Sequence, residues 1–328
     1  MALPQLIYRD EDYGNFLCGW FRNIIDSRFQ LVPFESGRTY DKNAAIYTTY
    51  QVDFYNQNTN AWFRNLEKQG HRVIIDHLLD GDVDLPHEYD GSRLTIRSPH
   101  WMWYSTAIRA VSDGYHKYTP QPNLSHDFLM LMNKRRAHRD QVQEALSQQL
   151  EHARWSYVEA GRPLDDPGER SSNVFWEFYT NPQWYDSTRF SLVVESWMRS
   201  DAWFAKPGGR NYKTEVSEKI YKPLAWYHPF VVLGSVDTLK FIRSEGFETF
   251  DNLWDESYDQ TTTDAGRFDR VVQLVKDILP NHNRFSGELD KITQEKLRHN
   301  HYHFYNMDLV HERFNTEILD VIEEFVCR

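Results

Sequence analysis

The feature that most narrows the folds open to this chain is a set of short, nearly unbroken apolar runs, each followed by a helical pattern. They are Phe128-Leu129-Met130-Leu131-Met132, Phe190-Ser191-Leu192-Val193-Val194 and Phe230-Val231-Val232-Leu233. A strand with one wet face alternates apolar and polar residues, whereas a strand covered on both faces is apolar throughout. Between the runs lie helix-forming stretches. After the first, Val142, Leu146 and Leu150 recur on one helical face. After the second comes a long loop containing Lys206-Pro207-Gly208-Gly209-Arg210, then a helix opening near Ser217. The third is introduced by Pro229, stopped by Gly234, and followed by a helix with Gly246 as its C-terminal cap. The order β-α-β-α-β-α over 127–246 predicts a parallel, doubly wound sheet.

The first third of the chain reads as a looser α/β pattern. A helix over 58–69 closes at Gly70, a strand spans 72–76, and another spans 94–96 before the aromatic segment His100 to Tyr104. Two prolines, Pro120 and Pro122, make 117–126 the best linker. The expectation is therefore an α/β protein of two Rossmann-like lobes facing across a cleft. Residues 1–124 would form one lobe and 125–328 the other, with C-terminal helices of which the last, 308–326, crosses back onto the first lobe.

Composition excludes some classes. The chain has 328 residues and a formal net charge of −11, which disfavours nonspecific nucleic-acid binding. Its aromatic fraction of 15% suits stacking on sugars or bases as well as filling a core. The only cysteines, Cys18 and Cys327, give neither a disulfide framework nor zinc spacing. The opening MALPQLIYRDEDYG lacks the basic start and apolar core of a secretory signal, and no run is long enough for a membrane span. A soluble, cytoplasmic protein is expected.

Three segments place charge where a strand gives way to a helix, the usual ligand position in open α/β sheets. In the first, Asn133-Lys134-Arg135-Arg136-Ala137-His138-Arg139, cations meet a helix N-terminus whose free N–H groups already favour anions. The run also suits a solvated basic turn. In the second, Glu195 follows a buried strand and could accept hydrogen bonds from a ribose diol or a sugar, or cap a neighbouring helix. In the third, Ser217 is an N-cap candidate and Glu218 suits the positive end of the helix dipole. Lys219 is unfavourable at that end, which an anionic ligand would explain, and Pro223 should kink or shorten the helix.

Together these segments resemble the donor-binding lobe of the α-1,3-fucosyltransferases, over roughly residues 127–240. That family has a strand, an Asn-containing turn and an Arg at the next helix start, as in Asn133 and Arg139. Its Phe-x-Leu-x-Phe-Glu-Asn strand is matched by Phe190 to Ser196, with Val194 and Ser196 departing from the pattern. Its Thr-Glu-Lys is matched by Ser217-Glu218-Lys219, and its strand ending in Gly by Pro229 to Gly234. The loop between the second and third motifs is longer here. Lys222-Pro223-Leu224 and the run Trp254 to Asp259 are not features of that family, which suggests a sister family from bacteria or phages.

The resemblance implies a GT-B glycosyltransferase that transfers a sugar with inversion from a nucleoside-diphosphate sugar, GDP-linked sugars among them, to a glycan or other hydroxyl acceptor. Arg139 and Lys219 would hold the diphosphate, with Asn133, Lys134, Arg136 and Ser217 beside them. Glu218 would bind the ribose, and Glu195 would lie beside the donor sugar or shape its pocket. No cofactor would be obligatory. An inverting transfer needs a carboxylate base near the acceptor hydroxyl. Asp76 is the first candidate, with Glu35 and Asp53 behind it.

Two rival functions carry their own signals. A phage-type enzyme acting on a modified DNA base would need a basic, aromatic surface, for which Arg93, Arg97, Trp101, Trp103 and Arg109 are candidates. A non-catalytic nucleotide-sugar-binding or interaction protein would lack a carboxylate opposite the donor sugar. Metal binding is not expected. Asp80-Gly81-Asp82-Val83-Asp84 reads as an acidic turn, and His299, His301 and His303 lack the Glu of a metalloprotease helix.

Overall fold

The computed structural model describes residues 3–8, 25–33, 40, 44–50, 66, 68–77, 94–97, 101–163, 181–198, 214 and 216–327. These form a mixed α/β protein with two parallel sheets. The chain divides into two compact units. The first is built mainly from Met1–Tyr104 and Met307–Arg328, the second from Ser105–Lys206 and Asn211–Asn306.

The first unit holds β1 (Gln5–Tyr8), β2 (Gln30–Pro33), β3 (Ala45–Tyr50), β4 (Arg72–His77) and β5 (Leu94–Arg97). All neighbours pair in parallel, in the order β2-β1-β3-β4-β5. Leu6 and Ile7, Ala45 and Ile46, and Val73 and Ile74 are buried as adjacent pairs. Neighbouring strand residues point to opposite faces, so both faces of this sheet are covered. Gly70 takes the left-handed φ of 89° expected where a helix closes before β4. Most of the helix expected at 58–69 lies outside the described residues.

Helix α1 (Trp101–Ser112) contains the division between the units, which falls after Tyr104. By this division the expected boundary at 124 lies inside the second unit. That unit then runs β6 (Phe128–Met132), α2 (Ala137–Ala145), β7 (Ala153–Tyr157), α3 (Pro182–Asp186), β8 (Phe190–Val194), α4 (Glu218–Ala225), β9 (Phe230–Leu233) and α5 (Thr238–Ser244). Its last helices are α6 (Asp264–Ile278) and α7 (Gly287–Phe304). The three apolar runs form β6, β8 and β9, and the residues of β8 and β9 are buried throughout. Val142, Leu146 and Leu150 are buried, but α2 ends at Ala145, so Leu146 caps it and Leu150 lies in a separate 3-10 turn, Gln149–His152.

One strand corrects the expected order. Ala153-Arg154-Trp155-Ser156-Tyr157 forms β7, which pairs with β6 at the edge of the described sheet. An edge strand is partly wet and need not be an apolar run, so no apolar signal marks it. The sheet order is thus β7-β6-β8-β9. The chain moves from β6 to β7 on one side and returns to place β8 on the other.

The C-terminal α8 (Met307–Arg313), a π-helical turn (Phe314–Leu319) and α9 (Asp320–Cys327) belong to the first unit. Arg28 pairs with Asp320 and Glu323, Tyr104 donates to Glu317 at 2.6 Å, and Arg72 donates to the Val326 carbonyl. The final helix thus packs on the first unit as the sequence suggests. Among the described residues, no helix is long and apolar enough to cross a membrane.

Candidate functional site

In an open α/β sheet the crevice for ligands opens at the carboxyl ends of the strands, where the strand order reverses. In the second unit that point lies between β6 and β8. The two strands pair only at their beginnings, Phe128 with Phe190 and Leu129 with Ser191. By contrast β8 and β9 pair along four residues, from Ser191 with Phe230 to Val194 with Leu233. Beyond Leu129 the register of β6 with β8 stops, and two side chains of α2 reach from one strand's end to the other's.

Arg139 is one of them. It is 1% exposed, and its guanidinium donates to the Lys134 carbonyl at 3.0 Å and to the Val194 carbonyl at 2.9 Å. Burial holds its pKa below the usual value, while the charges of Glu195 and Glu218 act in the opposite sense. His138 is the other, with Nε2 2.9 Å from the Glu195 carbonyl. A carbonyl only accepts, so this nitrogen carries the proton. The structure makes both of them ties across the gap.

Glu195 is the hub of the site. It is 3% exposed, and its carboxylate accepts from the Ser217 hydroxyl at 2.5 Å. The Ser217 and Ser196 amides each lie 3.3 Å from it. Its position is fixed from behind as well. A Cβ added at Gly234, just after β9, would lie 3.1 Å from Glu195 Cγ, so glycine leaves the room this carboxylate occupies. Arg267, 1% exposed, braces the same point by donating to the Gly234 carbonyl at 2.8 Å.

Ser217 is the N-cap of α4, its Oγ accepting from the Lys219 amide at 3.4 Å. The Lys219 ammonium lies 3.0 Å from that same oxygen, 2.7 Å from Glu218 Oε1 and 4.0 Å from Glu195 Oε2. Two carboxylates of the protein thus lie beside this first-turn cation. Burial raises the Glu218 pKa, but Lys219 and Lys222 outweigh it and hold the group at about 2. Glu218 is therefore ionised at neutral pH. Helix α4 is short and contains Pro223, as expected.

The start of α2 is different. Its N-cap is Arg136, which offers no side-chain acceptor to the first-turn amides. Ser, Asp, Asn or Thr usually fill this role. Lys134 and Asn133 are exposed beside it. The Asn133 carbonyl accepts from the Glu159 amide at 3.0 Å. Arg135 is compensated, its Nε lying 3.2 Å from both carboxylate oxygens of Asp140. Arg136 lies over the Trp197 ring, 4.6 Å from its centroid. Trp197 had attracted no attention in the sequence, although it stands two residues beyond Glu195.

Asp76 lies near the carboxyl end of β4, in register with Arg97 of β5, but its side chain is outside the described residues. Glu35, Asp53, Arg93 and the acidic turn 80–84 lie outside them too. The candidate basic, aromatic surface for DNA loses two members, since Trp103 and Arg109 are buried, at 0% and 4% exposure. Among the described residues no cluster of His, Cys, Asp or Glu could hold a metal. His299 and His303 stack on each other but are spent on main-chain carbonyls of Gly246 and Glu245, and His301 on that of Ala225. The Trp254–Asp259 run is structural. Trp254 packs against Phe190, and Asp259 caps α5 by accepting from the Leu239 and Lys240 amides.

No protein-family model matches the sequence, and no curated protein matches it. Among solved structures the chain is similar to the crystal structure of an α-1,3-fucosyltransferase, at a TM-score of 0.49 and 12% identity over 96% of this chain and 91% of that one. It is also similar to the crystal structure of an α-1,3-fucosyltransferase with GDP-fucose, at a TM-score of 0.45 and 10% identity over the same shares.

Proposed function

We propose that the second unit is the donor-binding lobe of an inverting glycosyltransferase that uses a nucleoside-diphosphate sugar. The observation that carries this reading is the convergence of all three charged motifs on the switch point between β6 and β8, where β-sheet geometry puts ligands. Cations outnumber acids there. Lys134, Arg136, Arg139 and Lys219 stand in the motifs that also supply Glu195 and Glu218, and no side chain caps the start of α2. A diphosphate would supply negative charge there.

In the reaction, the acceptor hydroxyl attacks the anomeric carbon as the bond from that carbon to the diphosphate oxygen breaks. The hydroxyl proton passes to a base, and the released diphosphate carries the new charge. Lys219 and the α2 amides stabilise that charge. Arg139 supports it from the buried floor, and Glu218 holds the ribose. Asp76, at the carboxyl end of β4, is proposed as the base, and the first unit as the acceptor lobe. The bland alternative, a binding protein without turnover, separates on one assay. Incubation with a panel of nucleotide sugars and simple glycan acceptors should release one nucleoside diphosphate, and Lys219→Ala should abolish release. Tight binding of a nucleotide sugar with no release beyond spontaneous hydrolysis, whatever the acceptor, would leave only the binding function.

A further inference from the structure

We infer that Tyr157 and Glu159, from the end of edge strand β7 and the turn after it, are positioning residues that hold the turn 133–136 in the shape that receives the donor diphosphate. The inference rests on the donor-lobe reading above and adds two residues that act on the ligand only through that turn.

Register explains their reach. Met132, the last residue of β6, pairs with Tyr157, so the chain after Tyr157 runs beside the turn after Met132. Tyr157 and Arg162 exchange backbone hydrogen bonds at 2.7 and 3.1 Å, which folds the short segment between them back on itself. Glu159 lies within that closed segment. Three bonds then fasten 133–136 to it. The Glu159 amide donates to the Asn133 carbonyl at 3.0 Å, and the Arg135 amide donates to Glu159 Oε2 at 2.7 Å. The Arg136 amide donates to the Tyr157 hydroxyl at 3.2 Å. That hydroxyl donates in turn to Asp140 Oδ1 at 2.8 Å, so one buried phenol ties the N-cap of α2 to its first turn. A site is precise only when the residues that carry it are themselves held. Lys134 and Arg136, which the donor reading assigns to the diphosphate, flank the Arg135 amide that Glu159 holds.

One sign separates positioning from simple charge. Glu159 is an exposed carboxylate close to residues assigned to an anion. Acting by charge alone it would repel a diphosphate, and its removal would tighten binding. Acting through the Arg135 amide, its removal frees the turn, and the fraction of molecules in the competent shape falls.

Calorimetric titration of the full chain with inorganic pyrophosphate, guanosine diphosphate and uridine diphosphate tests this. Glu159→Ala should weaken pyrophosphate and the nucleoside diphosphates alike, by about 3- to 10-fold, the range set by one net hydrogen bond. Glu159→Gln keeps an oxygen for the Arg135 amide and should restore the affinity. Tyr157→Phe should weaken the same ligands by a similar factor, measured well below its melting temperature so that lost stability alone does not enter. Tighter binding in Glu159→Ala would reduce Glu159 to a repelling charge and overturn its role. A loss with nucleoside diphosphates but not with pyrophosphate would put the effect on the nucleoside and overturn the inference. An unchanged affinity in either variant would remove that residue from the support of the turn. In each of these cases the unaltered protein still binds and the donor lobe stands. If the unaltered protein binds none of the three, the donor reading fails and this inference with it.

Discussion

The guanidinium of Arg139 donates to the carbonyl of Val194, so the helix that follows β6 is bolted to the last residue of β8. The same side chain holds Lys134, just beyond β6. Arg139→Met should therefore unpair two carbonyls, the one at Val194 buried, and destabilise the protein by about 2 kcal/mol or more. Urea denaturation measures this. Arg139→Lys should recover little, because an ammonium cannot reproduce the fork. A stability loss below about 0.5 kcal/mol would mean that the tie does not hold the two strand ends.

Gly234→Ala presses a methyl group against Glu195 Cγ, 3.1 Å from its ideal position. Glu195 can move only by disturbing its bonds to Ser217. The expected result is a cost of about 1–3 kcal/mol from overpacking, together with weaker nucleotide binding. Calorimetric melting and a nucleotide titration check the two effects. Normal binding in a destabilised protein would separate Glu195 from the ligand site.

Buried His228 takes hydrogen bonds at both ring nitrogens, with Ser191 Oγ 2.8 Å from Nδ1 and the Thr188 carbonyl 2.9 Å from Nε2. Burial lowers its pKa from 6.5 to about 4, despite the opposing bond to Thr188. Between those values the unfolded chain binds the proton and the folded chain does not. This stability is therefore complete above pH 6.5 and is lost as the pH falls toward 4, about 3 kcal/mol in all. Denaturation curves across that window should lose close to one proton's slope in His228→Gln. An unchanged slope would show that His228 titrates normally in the fold.

Glu218 gives a second acid transition at lower pH. Its folded pKa of about 2 lies below the ordinary 4.5, so its contribution is present above pH 4.5 and fades as the pH drops toward 2. Lys219→Ala removes the nearest cation, and the Glu218 pKa should rise. Carboxyl titration by NMR reads this directly. A Glu218 that titrates identically in the variant would contradict the Lys219–Glu218 pair.

The three apolar runs made the strands of the second sheet legible, because burial on both faces leaves no polar alternation. They also point to the strand ends where this topology gathers ligands. Strand β7 was not legible, being half wet at an edge. Nor was the burial of Arg139, which resembles any other cation in a basic run until Val194 is seen to need a donor. The nearer carboxylate beside Lys219, Glu218, is its sequence neighbour, but the second, Glu195, is 24 residues earlier, and only the fold brings it within 4.0 Å. Trp197 needed Arg136, from a different strand end, to stand out.

The most direct test of the account is thermal stabilisation of the whole chain by a panel of nucleoside diphosphates and their sugars. At about 100 times its dissociation constant a ligand adds roughly 2.7 kcal/mol to stability. The account predicts that one nucleotide raises the melting temperature selectively, and that Lys219→Ala removes the shift. No shift with any nucleotide would contradict the assignment of the β6–β8 crevice as a donor site.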